Sequence, residues 1–260
     1  MNPMNPQEAV APLSTPLPRR FEPHHPWDRN FILIYVLLIW VGIVMGFGPQ
    51  IIKHVEKHAP PYPLIVHVHA AAFVGWLVLL SAQVWLIRAR KARIHRKLGQ
   101  AGAVLAAAMV ILGPAAAFVV QRANFGNPAG DPSFLSIQLT DILAFAGLTT
   151  AAILSRNHSA SHKRLILLAT LYISDAGFAR WLAEPLQALV GDGSGGLLAQ
   201  LYLANDVLIV GLGAYDLVTR HRLQQAYIIG AVCIAAMQLT AVALYQSPVW
   251  KQVAVKLLGH

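Results

Sequence analysis

Seven long apolar stretches, at positions 31–50, 64–87, 98–120, 134–154, 165–186, 197–218 and 226–245, leave this chain few folds to choose from. At 1.5 Å of rise per residue, each is long enough as a helix to cross about 30 Å of hydrocarbon. Lipid offers no hydrogen bonds to an exposed backbone, so a crossing segment must be a helix or belong to a closed barrel. The stretches are too long and too uniformly apolar for alternating barrel strands. The sequence therefore predicts an all-α, polytopic membrane bundle of seven transmembrane helices over residues 31–260, preceded by a polar tail over residues 1–30. Composition agrees, with 56% hydrophobic and only 12% charged residues.

The basic residues fix an expected orientation. If the connection between the second and third stretches is cytoplasmic, 14 Lys and Arg fall inside and five outside, Arg180 lying within the fifth stretch. The inside group includes the run Arg88, Arg90, Lys91, Arg93, Arg96 and Lys97, together with Arg156, Lys163, Arg164, Arg220 and Arg222. The amino terminus is then expected in the cytoplasm and the carboxyl terminus outside, across a bacterial inner membrane. The tail carries seven prolines and no short apolar core with a cleavage site, so it reads as a disordered cytoplasmic segment.

The net charge of +9 is explained by helix-end residues facing lipid headgroups, which makes the bilayer the expected partner and argues against nucleic acid. Cys233 is the single cysteine, so disulfides, CxxC zinc sites and thiolate-held iron–sulfur clusters drop out. The glycine-rich run from Gly191 to Gly196 lacks the Lys-Ser/Thr of a phosphate loop and reads as an outer turn. Small residues on several faces of the third stretch place it centrally in the bundle, with a kink expected at Pro114. Nothing in the sequence fixes the oligomeric state.

Ionisable residues at bilayer depth are costly and mark sites. The expected topology gathers His67, His69, Asp141, Arg180, Glu184 and Asp206 in the outer half of the bundle, with Asp175 deeper. On the second helix His69, Trp76 and Gln83 recur every seven residues on one face, whereas His67 points about 200° away from His69. The two histidines cannot both grip one ion from a regular helix. Three uses of this group are open: a divalent metal held by His69 with Asp141 or Asp206, a proton relay, or a pocket for an anionic ligand organised by Arg180. The alternative is purely structural, with Arg180 paired to Glu184 one turn along and His69 bonded to Asp141 or a carbonyl. Asp175, three residues from Tyr172, is expected as a locally hydrogen-bonded carboxylic acid.

At the inner side, His95-Arg96-Lys97-Leu98 and His162-Lys163-Arg164-Leu165 open two outgoing helices with nearly the same tetrapeptide. Two imidazoles at equal depth are what axial ligation of a b-type haem requires, and the neighbouring cations suit its propionates. Equally, both rings could simply meet water and headgroups at the rim.

The run His67-Val68-His69, Gly75-Trp76, Gln83, His95-Arg96-Lys97-Leu98-Gly99 and His162 to Leu168 resembles a family of uncharacterised bacterial multi-pass membrane proteins known as a domain of unknown function. That resemblance covers most of the chain from the first helix onward and implies no activity. More loosely, a His opening the second helix and a His-x-x-Leu-Gly element opening the third are similar to the cytochrome b561 pattern, in which two haems lie between four helices. This resemblance implies that His95 and His162 hold the inner haem and that His67 or His69 supplies one ligand of the outer. The fourth helix offers Gln138 and Asp141 where that family places a histidine, which implies a one-haem relative.

The leading expectation is an electron-transfer protein with haem b on His95 and His162, exchanging electrons with a quinone. The alternatives are a non-redox carrier or sensor binding a metal ion or small anion in the outer pocket, and a membrane zinc hydrolase, which would need a break in the second helix.

Overall fold

The computed structural model describes residues 21–127, 130–191 and 193–259. Its helices are α1 Asp28–Glu56, α2 Leu64–Arg88, α3 Ala92–Ala123, α4 Leu135–Leu154, α5 Ser159–Ile173, α6 Asp175–Val190, α7 Ser194–Arg220, α8 Gln225–Tyr245 and α9 Pro248–Leu257. A 3-10 turn, Pro132–Phe134, leads into α4, and no strand occurs among the described residues. The first 20 residues of the expected disordered tail lie outside the described residues. Residues 21–27 are placed, and Asp28 already begins α1.

Six helices are long and apolar enough to cross a membrane: α1, α2, α3, α4 with its 3-10 turn, α7 and α8. The fifth apolar stretch, expected as one helix, is instead two. α5 and α6 together pass the same test but are bent by 51° at Ser174. α9, which the apolar pattern did not signal, is a short surface helix. It is capped by Ser247, whose Oγ accepts from Trp250 N, and seals against the 3-10 turn through Trp250 Nε1 donating to Ser133 O at 3.1 Å.

The helices form a ring in the order α1, α2, α3, α4, α8, α7, α6 and back to α1, with α5 inside it against α4, α7 and α8. The central helix is thus α5. Arg164, Leu165 and every residue from Leu167 to Tyr172 are buried, so no face of it meets lipid. This corrects the expectation that the small-residue-rich third helix is central. α3 packs on α2 and α4, while Val104 and Ile111 stand 72% and 71% exposed on its outer face. Its glycines serve only those two contacts: a methyl at Gly102 would press on Leu79, and one at Gly113 on Ile142.

Apolar helices gain nothing from hydrophobic association in lipid, so close backbone approach and sparse hydrogen bonds hold them together. Trp40 Nε1 donates to Ser81 Oγ between α1 and α2 at 3.0 Å, and Tyr35 and Tyr227 donate to the carbonyls of Ile209's neighbour Leu208 and of Ile209 itself, both at 3.0 Å, tying α1 and α8 to α7. α1 and α6 touch backbone to backbone. A Cβ at Gly46 would collide with the Gly177 carbonyl, and one at Gly42 with the Phe178 ring.

That seam yields a prediction. Alanine is normally the better helix former, so Gly46→Ala would gain ~1 kcal/mol if only propensity mattered. Because the new methyl has no room, thermal unfolding of the purified protein should instead fall, by about 1–3 kcal/mol of stability. Gly48→Ala, whose methyl would meet nothing within 4 Å, should leave the midpoint unchanged or raise it.

Candidate functional site

The break between α5 and α6 is written in the run Ile173-Ser174-Asp175-Ala176-Gly177. Ser and Asp side chains compete with the backbone for hydrogen bonds, and here both do so. Ser174 Oγ donates back to Thr170 O at 2.6 Å, and Asp175 Oδ1 accepts from the Ala176 amide, one of the free donors at the start of α6. The carbonyl of Leu171 accepts Asn205 Nδ2 of α7 at 2.8 Å as well as Ser174 N. Ends that would be intolerable in hydrocarbon are thus satisfied inside the protein.

Around the break the polar groups converge. Asp175, 4% exposed, meets the Asp141 side chain of α4. Tyr172 and Tyr202, both fully buried, stack with centroids 6.0 Å apart and turn their hydroxyls toward Asp141 and each other. Trp76 Nε1 donates to Thr170 Oγ1 at 3.0 Å, which locks α2 to α5 just before the break. Several atoms here are buried yet settle into no hydrogen bond of regular geometry: Asp141 Oδ1, the hydroxyls of Tyr172 and Tyr202, Asn205 Oδ1 and His69 Nδ1. Buried polar atoms are almost always paired, and each one left alone costs on the order of 1–3 kcal/mol. Of these, Asp141, Tyr172 and Tyr202 face one another and Asp175 at the break.

The remaining residues of the expected outer group are distributed around this centre. Arg180, on the second turn of α6, donates through Nε to Gln50 Oε1 at 3.2 Å and through Nη1 to Ala176 O at 2.7 Å, and its guanidinium lies 4.6 Å from the Phe47 ring centroid. The expected pair with Glu184 does not form: among the described residues no ion pair joins them, because Arg180 turns toward α1. His69 stacks on Phe73 at 4.1 Å with its ring near the Leu112 carbonyl. Asp206 accepts Gln238 Nε2 of α8 at 2.8 Å. His67 is exposed beside Tyr62, away from the centre, as its angular offset requires. α2 runs unbroken through Val68. Among the described residues no three His, Cys, Asp or Glu side chains come together, so His69, Asp141 and Asp206 do not form a three-ligand metal site.

At the opposite end of the bundle, His162 Nδ1 bonds the Ala152 carbonyl at 2.8 Å, leaving Nε2 for another partner. His95 lies near it, approaches the Gln83 backbone, and keeps Nδ1 buried and unpaired beside an equally unpaired Gln83 Oε1.

The same end holds a network that the sequence reading passed over. Asp28 accepts Lys163 Nζ at 2.6 Å, Tyr215 OH at 2.6 Å and Arg220 Nη2 at 2.8 Å. Arg164, 2% exposed, grips the fully buried Asp216 through Nε and Nη2, and Phe21 packs over both arginines. The topology count credits Lys163, Arg164 and Arg220 to inside helix ends facing headgroups. The signal for a buried network was present in Asp216, an acid inside an apolar stretch one helical turn before Arg220.

Comparison with known proteins gives no family model, no curated protein and no solved structure that matches the chain.

Removing one partner of a buried pair strands the other. Asp216→Ala should therefore destabilise the protein by about 3–5 kcal/mol, whereas the double variant Asp216→Ala/Arg164→Met should recover part of that loss. Unfolding midpoints of the three proteins in one detergent check this.

Proposed function

We propose that this integral membrane protein is a carrier that binds a proton between Asp141 and Asp175 and passes it across the bilayer. The observation that carries the reading is the contact of two carboxyl groups at a helix break, beside the buried hydroxyls of Tyr172 and Tyr202. Two carboxylates have no donor between them; one proton supplies it and halves the buried charge. Discontinuous helices at the midplane are where transport proteins build ion sites, because the free amides at the start of the second half-helix favour an anionic group.

In this reading α5 and α6 form one span. Lys163 of α5 contacts Asp28, and Arg180 of α6 contacts Gln50, residues 22 positions apart on α1, about 33 Å along a helix. The protein then has seven spans, and the excess of Lys and Arg at the Asp28 end supports a cytoplasmic position for that end, in what we take to be a bacterial inner membrane. The Lys163–Asp28–Arg220 and Arg164–Asp216 pairs, covered by Phe21, close the cytoplasmic end, while Arg180 lies exposed toward the other. A proton enters from the outer side past Arg180, rests on the Asp pair, and leaves once the inner ion pairs part.

Reconstitution into liposomes loaded with a pH-sensitive dye tests this. Under an imposed membrane potential the wild type should acidify the lumen, and Asp141→Asn or Asp175→Asn should each slow that flux by about a hundredfold. Asp206→Asn, whose carboxylate is held by Gln238, should retain most of it. Flux no faster than in protein-free liposomes, or full flux in both Asn variants at positions 141 and 175, sinks the proposal.

A second reading rests on His95 Nδ1, buried and unpaired, and on His162, which meets the Ala152 carbonyl through Nδ1. His95 and His162 would hold a haem b, which when bound supplies one-electron chemistry. The chain's own part is to fix the His162 tautomer through Ala152 O and to offer Arg96 and Lys97 near the rim. A reduced-minus-oxidised spectrum of the purified protein should show a b-type signal that His95→Ala and His162→Ala each abolish. A protein without haem absorbance ends this reading and leaves the carrier reading standing.

A further inference from the structure

The ion pairs at the Asp28 end carry one positive charge too many. Among the described residues they join three cations, Lys163, Arg164 and Arg220, to two carboxylates, Asp28 and Asp216. A surplus cation drawn out of water is costly unless neutral acceptors replace the water it loses. Here they come from the residues that precede α1. Lys163 Nζ donates to Pro23 O at 2.7 Å, and Arg220 Nε donates to Glu22 O at 2.8 Å. The guanidinium carbons of Arg164 and Arg220 lie over the Phe21 ring, 4.6 and 5.2 Å from its centroid, where the negative face of the ring attracts them. The same segment is tied to the carboxylate beneath it: Asp28 N donates to His25 O at 3.0 Å, and His25 N donates to Asp28 Oδ2 at 3.1 Å. Lys163 and Arg220 therefore cannot leave Asp28 without also leaving residues 21–27.

We infer that residues 21–27 form an inhibitory strap across the Asp28 end of the bundle, with Phe21 as its latch. Under the strap, Asp28, Lys163, Tyr215, Leu167 and Leu212 line a crevice with about 10 Å³ of free room, enough for one water at most. Phe31 stacks on Tyr215 with ring centroids 3.8 Å apart and narrows the same passage.

What the strap inhibits rests on the carrier reading; where it lies rests on the contacts alone. Among the described residues no ion pair anchors it, and its hold consists of two carbonyls and one ring face. Such neutral contacts give way more readily than the buried pairs below, whose separation strands a charge. Opening then follows an order. The strap lifts first, water reaches Lys163 and Arg220, and in that wetter surrounding the ion pairs part at lower cost. A proton leaving the Asp pair toward this end waits on the strap.

The experiment follows a thiol placed beneath the strap. In a Cys233→Ser background, Leu212→Cys, at a crevice position only 2% exposed, is reacted with a water-soluble maleimide in the full-length protein in lipid nanodiscs. Reaction should be slow with Phe21 in place and roughly tenfold faster in Phe21→Ala and in Phe21→Leu, which keeps apolar bulk without a ring face. Phe21→Trp, whose ring is the better partner for a cation, should stay slow. Leu167→Cys, also in the crevice, repeats the measurement if Leu212→Cys does not fold. Ala254→Cys, fully buried in α9 at the other end of the bundle, should react equally slowly in every Phe21 variant. In the liposome assay, Phe21→Ala should carry protons faster than wild type by a factor similar to its gain in labelling. Unchanged labelling in both Phe21→Ala and Phe21→Leu, equally fast labelling in Phe21→Trp, or acceleration at Ala254→Cys as well overturns the strap. Faster labelling with unchanged flux, in a protein that does carry protons, overturns its inhibitory role. Faster labelling in a protein without proton flux upholds the strap as a cover and ends the carrier reading. Flux lost in the Asp141 and Asp175 variants, with no effect of Phe21 on labelling, upholds the carrier reading and ends the strap.

Discussion

The helix break at Ser174 is the constraint on which the interior depends, because in hydrocarbon an interrupted backbone must find every lost partner within the protein. Three side chains meet the demand. Ser174 turns back to Thr170, Asp175 takes the Ala176 amide, and Asn205 reaches from α7 to the Leu171 carbonyl. This arrangement explains why α5 must be central. Only a helix walled by α4, α7 and α8 could end at Ser174 inside the bundle without exposing its last carbonyls to lipid. The wall in turn brings Asp141, Tyr202 and Asn205 to the depth of the break, so the polar cluster and the fold are one consequence of the same interruption.

Much of the framework could be read from the sequence, and what could not has a physical reason. Six of seven apolar stretches correspond to single helices, because length and hydropathy alone decide whether a segment can cross lipid. The placement of each helix could not be read, since lipid-facing and protein-facing sides are both apolar and periodicity carries little information. The third helix therefore looked central on account of its glycines, though these serve only α2 and α4. The break was missed because Ser174 and Asp175 interrupt hydropathy by only two residues, although Ser-Asp-x-Gly in mid-span was its local signature.

For the site, rarity was the useful signal. Asp141 and Asp175 stand out in apolar stretches and meet at the break, with Arg180 on the next turn of α6, whereas His67 and Glu184 lie exposed. Tyr172 was noticed only as a neighbour of Asp175, and Tyr202 and Asn205 were invisible, because tyrosine and asparagine carry no charge to make them conspicuous. Their importance appears only when packing shows their polar atoms at the depth of the break, with too few partners. At the other end charge alone misleads, because Lys163, Arg164 and Arg220 match the positive-inside pattern as well as their buried pairing. Their burial against Asp28 and Asp216 assigns them a structural task as well.

The two helices of the bent pair are held by different means, and this bears on which of them can move. α5 is locked through Arg164 to Asp216, through Lys163 to Asp28 and through Thr170 to Trp76, buried polar links whose separate rupture would each leave a polar or charged group stranded. α6 is held against α1 by the Gly42, Gly46 and Gly177 contact and by the exposed Arg180–Gln50 bond, and against α7 by the most extensive helix packing in the bundle. Shear of α6 along the glycine seam of α1 requires it to slide along α7 as well, and a break already capped at Ser174 supplies the hinge. Motion of α6 against a fixed α5 would carry Asp175 and Arg180 together while Asp141 stays with α4. The distance between the two carboxyl groups, and hence their hold on a shared proton, is then set by the position of a single half-helix.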